Sequence, residues 1–117
     1  MKLTPQQTEK THISSLLDEA YACRTYNLKR STELAAQALA SSRNLNESCL
    51  IAKSLSHSAL FSMILGEYDQ ALEMSAESIR LYETLGDEKG IADAKYNIAG
   101  VHYKTNNYHL GLVNLVD

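Results

Sequence analysis

Apolar residues recur along this chain at the offsets of one helix face. Ile51, Leu55, Ala59 and Met63 form such a stripe, and Ala71, Leu72, Ser75, Ile79 and Tyr82 form the next. Short polar breaks near Tyr26-Asn27, Asn44-Asn46, Gly66-Glu67, Gly86-Asp87 and Asn106-Asn107 divide the stripes. The pattern predicts six helices over 8–24, 29–43, 48–65, 68–84, 88–105 and 108–117, and no sheet. At the first helix Thr4 can cap, Pro5 suits the first helical position, and Gln7 can complete a capping box. No stripe can bury itself alone. Antiparallel helix pairs joined by tight turns are the expected solution.

Displacing the chain against itself by 40 residues aligns Ile51 with Ile91, Ala52 with Ala92, Ala59 with Ala99, Tyr68 with Tyr108 and Leu72 with Leu112. The same offset pairs Leu34 with Met74, Ala36 with Ala76, Ala38 with Ser78, Leu39 with Ile79 and Leu45 with Leu85. The matches fall on apolar and small positions, which packing geometry fixes when one unit stacks on the next. In the first unit Ala20 takes the place of Ala59 only with a one-residue slip. The chain therefore divides into repeats of about 11–50, 51–90 and a shortened 91–117 within a single domain. Gly86 is placed to end a helix and Asp87 to cap the next.

The unit of a small residue, then Leu65-Gly66-Glu67-Tyr68-Asp69-Gln70-Ala71-Leu72, then Ser78-Ile79, resembles the tetratricopeptide repeat. The corresponding positions are Ala59, Gly66, Tyr68, Ala71 and Ser78 in one repeat, and Ala99, Asn106, Tyr108 and Gly111 in the next; Ser31 and Ala38 fill the second-helix positions of the first. Small residues let helix backbones approach closely, while the tyrosine wedges its ring where the pair opens. The chain departs from the family in having Leu55 or Lys95 where a bulky Trp is usual, in lacking the Pro after the second helix, and in its period of 40 against the common value of about 34. This longer variety is similar to repeats of bacterial regulatory proteins such as sensor histidine kinases, nucleotide cyclases and large transcription activators.

The resemblance implies an all-α, α-α superhelix of about two and a half to three helix-turn-helix repeats. It also implies a non-catalytic interaction module that binds a peptide, a helix or a partner domain on its concave face. The first-helix positions that line the family's groove correspond to Lys53, Ser56, Leu60 and Met63, then to Asp93, Tyr96, Gly100 and Tyr103. From these Lys53, Leu60, Met63, Tyr96 and Tyr103 are the expected partner-binding residues, with Gly100 leaving a hollow between the two tyrosines. The basic clamp that some members use for a C-terminal carboxylate is not expected: Lys53 and Asn97 are present, but its other members are not evident. The alternative is a sensory or regulatory N-terminal domain of a signalling enzyme such as a sensor histidine kinase or nucleotide cyclase.

Composition narrows the partners. The 117 residues carry 11 Lys+Arg and 14 Asp+Glu, so 11 − 14 = −3, which offers neither nucleic acid nor an anionic membrane an electrostatic footprint. With 44% hydrophobic and 21% charged residues the chain should fold. The N-terminus lacks a signal-peptide core and no stretch approaches the apolar length of a membrane span, so a cytoplasmic location is expected. Cys23 and Cys49 read as small buried residues. His12, His57, His102 and His109 do not converge in sequence, no phosphate-cradling glycine loop or nucleophile elbow is present, and neither metal, cofactor nor enzymatic activity is expected. Burial of His57 deep in a groove beside a carboxylate would instead suggest a small stand-alone hydrolase or metalloprotein. The apolar run Leu110 to Val116 reads as an unfinished helix, from which an N-terminal piece of a longer protein and a homodimer through the C-terminal end are expected.

Overall fold

The computed structural model describes residues 2–105. They form five helices, α1 (Pro5–Ala22), α2 (Leu28–Leu45), α3 (Ser48–Leu65), α4 (Tyr68–Leu85) and α5 (Glu88–Thr105), and among the described residues there is no strand. The sixth expected helix, with Leu112 and Leu115, lies outside the described residues, as does the C-terminal end expected to pair two copies. Each of the five helices is 18 residues long. α2 to α5 begin at 28, 48, 68 and 88, a constant step of 48 − 28 = 20, and two such steps make the 40-residue period of the sequence.

Equal spacing follows from three equivalent linkers. Asn46, Gly66 and Gly86 each adopt the left-handed conformation, with φ of 54°, 85° and 70°. In each case the left-handed residue and its successor donate back to the helix they leave. Gly66 N–H donates to the Met63 carbonyl at 3.1 Å and Glu67 N–H to the Ser62 carbonyl at 2.8 Å, a Schellman motif. Gly86 and Asp87 do the same to Glu83 and Tyr82. The second linker residue then opens the next helix, and Asp87 Oδ1 accepts from Gly90 N–H at 2.9 Å, as the sequence predicts. α1 begins at Pro5 rather than residue 8, because the Thr4–Gln7 capping box forms in full. Its exit differs from the other three: Cys23 to Asn27 separate α1 from α2, and the Asn27 side chain caps Arg30 N–H at 3.2 Å.

Each helix packs on the next in sequence, and α3 also packs on α1 and α5. The crossings are made by small residues. Ala59 of α3 and Ala71 of α4 are both 0% exposed. Where serines replace alanines, their hydroxyls hold backbone to backbone: Ser31 Oγ donates to the Ala20 carbonyl at 2.6 Å and Ser78 Oγ to the Ala52 carbonyl at 2.8 Å. One core cluster, including Ile13, Leu17, Leu34 and Phe61, binds α1 and α2 to α3; another, of Met63, Ala71 and Val101, joins α3, α4 and α5.

Two expectations need correction. Cys23 is buried as expected, but Cys49 is exposed, because it stands in the first turn of α3 ahead of the packed stripe. Among the described residues one helix, α3, is long and apolar enough to cross a membrane, with a mean hydropathy of 1.3. Its position accounts for that composition, since it packs against the other four helices and buries Ile51, Leu55, Ala59 and Phe61.

Candidate functional site: a groove across α1, α3 and α5

Three alternate helices, α1, α3 and α5, enclose a groove of about 810 Å³. Asp18 and Tyr21 come from α1 and Arg24 from the turn that follows it, and Lys53, Ser56, His57 and Leu60 come from α3; Asp93, Tyr96 and Asn97 come from α5, and Tyr82 closes one end from α4.

On the floor, the His57 ring stands edge-on to Tyr21, with centroids 5.8 Å apart, and to the buried Phe61 at 6.3 Å. Nδ1 lies 3.0 Å from the Lys53 carbonyl, which only accepts, so the neutral ring carries its proton on Nδ1 and keeps Nε2 as an acceptor. Burial pushes the imidazole below its ordinary value; the carbonyl and the charges of Asp18 and Asp93 oppose the shift, and the Lys53 charge adds to it. On the α1 wall the Arg24 guanidinium lies 3.7 Å from the centroid of the Tyr21 ring, and Nη1 donates to the Tyr21 carbonyl at 2.8 Å. On the other side Asn97 Nδ2 donates to the Ser56 carbonyl at 2.9 Å, tying α5 to α3. The Tyr82 ring lies against Gly90, and burial raises its phenol above the ordinary tyrosine value, reinforced by Cys49, Asp87 and Asp93.

Of the residues expected from sequence to hold a partner, Lys53, Leu60 and Tyr96 line this groove together. Tyr96 is 70% exposed. Met63 does not line it: the side chain is 7% exposed and its sulfur fills the space over Gly100, so the hollow expected between Tyr96 and Tyr103 is occupied by the chain itself. Tyr103 is 60% exposed but also lies beyond the lining. Asp18, Tyr21, Arg24 and Tyr82 were not legible as groove residues. The slipped register of the first helix hides the α1 residues, and Tyr82 reads from sequence as one more member of an apolar stripe.

His57 meets part of the condition set for a hydrolase, since it sits in a groove with carboxylates near it. Its ring nitrogen is bonded to its own helix, however, and among the described residues no hydrogen bond joins it to a carboxylate or a hydroxyl. Among the described residues no group of His, Cys, Asp and Glu is arranged to hold a metal ion. No protein-family model, curated protein or solved structure matches the chain.

Proposed function

We propose that the chain is a tetratricopeptide-like repeat array, an α-α superhelix whose inner face binds a peptide, a helix or a partner domain without catalysis. The observation that carries this reading is the groove itself: it runs over the first helix of each pair, where an array of stacked hairpins turns its concave side. The 20-residue step and the Schellman turns supply the regular stacking that such an array needs. Lys53, Leu60 and Tyr96 are the contacts to the partner. Met63 acts behind them, by seating α5 through Gly100.

Selection from a displayed peptide library, followed by titration of the enriched peptides, tests the reading. Peptides should bind in the groove, Tyr96→Ala should weaken them by about tenfold or more, and Tyr103→Ala should change affinity less. Failure to enrich any peptide, or enriched peptides indifferent to Tyr96→Ala, overturns it.

A further inference from the structure

His57 is fastened to the floor of the groove by three contacts. Nδ1 gives its proton to the Lys53 carbonyl, and the ring stands edge-on to Tyr21 of α1 and to Phe61 of its own helix. These contacts fix the imidazole and leave Nε2 as its uncommitted polar atom. Among the described residues Nε2 makes no hydrogen bond. Nor is it sealed: the one side-chain polar atom among the described residues that is both shut off from solvent and without a partner is Ser75 Oγ, on α4. An unbonded Nε2 that is not shut off opens on the groove that His57 lines. In the neutral ring it is an acceptor.

The charges around it balance. Asp18 and Arg24 come from α1 and the turn after it, Lys53 from α3, and Asp87, Lys89 and Asp93 from the last linker and α5, so three cations meet three carboxylates. The Cys49 thiol of α3 and the phenols of Tyr21, Tyr82 and Tyr96 are the other titratable groups of the lining, to which α2 adds no residue among those described. His12 and His102 lie outside it. The Asp18 and Asp93 charges favour an imidazolium and the Lys53 charge opposes it, but burial is the largest influence and favours the neutral ring. With His57 neutral the lining carries no net charge; a proton on it adds a positive charge beside Lys53.

We propose that His57 is a proton gate on the groove: its neutral Nε2 accepts a hydrogen bond from a backbone N–H of an extended partner peptide, and protonation of that nitrogen turns the acceptor into a charged donor and releases the peptide. The proposal rests on the groove's being the binding face and adds how its occupancy is regulated. Because Nδ1 already holds its proton against the Lys53 carbonyl, the charged ring has two donors and no acceptor, and a peptide N–H then faces another N–H. A bound peptide also strips water from the ring, which favours the neutral form. The sign follows: affinity is complete above the titration of His57 and is lost as pH falls through it.

The test combines NMR of the histidine ring nitrogens with calorimetric titration, using the 117-residue chain and a peptide enriched by display selection at about pH 7.5. In the free chain at that pH, His57 should carry its proton on Nδ1 with Nε2 bare, and bound peptide should move its titration to lower pH. Affinity should be about tenfold weaker at about pH 5 than at about pH 7.5. His57→Phe keeps a ring against Tyr21 and Phe61 but has no acceptor; it should bind roughly tenfold more weakly at about pH 7.5 and lose the pH dependence. If that variant does not fold, the tautomer and the titration of the unaltered chain decide. A proton on Nε2 in the free chain at about pH 7.5, affinity that stays level or rises as pH falls, or a pH dependence that survives in His57→Phe overturns the gate and leaves the groove reading standing. If no peptide is enriched, or enriched peptides are indifferent to Tyr96→Ala, the groove reading falls and the gate falls with it.

Discussion

What a glycine permits depends on the side chain that lies across it. At Gly90 an added Cβ would stand inside the Tyr82 ring, and at Gly100 inside the Met63 thioether. A buried ring with two torsions has little room to bend away, whereas a methionine has three torsions with which to retreat. Gly90→Ala should therefore cost about 1 to 3 kcal/mol and Gly100→Ala less than about 1 kcal/mol, measured by urea unfolding. Gly90→Ala should also displace Tyr82 from the end of the groove. His57 makes a second residue-scale prediction. Its imidazole is lowered in the folded chain chiefly by burial, so folding favours the neutral form; that contribution is complete above the unfolded value of about 6.5 and is lost as pH falls through the lower folded value. The melting temperature should fall between about pH 7 and about pH 5.5, before carboxylates titrate, and His57→Gln should flatten that slope. An unchanged slope in the variant would assign the pH dependence elsewhere.

At the scale of elements, the linkers and crossings decide the fold. Gly66 and Gly86 sit in the left-handed region at no steric cost, while Asn46 occupies it as a residue with a Cβ. Asn46→Gly should stabilise by about 0.5 to 1 kcal/mol, and Gly86→Ala should destabilise by about 1 kcal/mol, both read as shifts in denaturation midpoint. Ala71→Leu should cost about 1 to 3 kcal/mol by forcing α4 from α3, and an unchanged melting temperature would falsify the small-residue crossing there. These same residues explain how much was legible beforehand. Helix ends at Gly66 and Gly86 could be read because only a few residue types tolerate that backbone, and the repeat could be read because close crossings admit only small side chains. Five groove residues, Lys53, Ser56, Leu60, Asp93 and Tyr96, followed from their places in the repeat. The α1 wall did not, since the five-residue exit after Ala22 breaks the 20-residue rhythm and with it the alignment that would have named Asp18 and Tyr21. Nor could spacing tell that Met63 would turn inward to cover Gly100, which depends on how near α5 comes to α3.

For the molecule as a whole, packing runs from neighbour to neighbour: α1 meets α2 and α3, and α5 meets α4 and α3, with α3 as the shared partner. Stability should therefore divide along the chain instead of collapsing at once. Leu17→Ala, at a fully buried position of α1, should cost about 2 to 5 kcal/mol. By native-state hydrogen exchange the loss should appear first in α1 and α2, with amides of α4 and α5 keeping more protection; uniform acceleration over all five helices would indicate a single cooperative unit. One arrangement described above also has an optical consequence. The chain contains 7 Tyr and no Trp, and Tyr21, Tyr82 and Tyr96 all border the groove. With no indole to mask them, much of the near-ultraviolet signal arises around that groove. Occupancy would alter their emission and near-ultraviolet dichroism, giving the native chain a label-free readout of its own binding face.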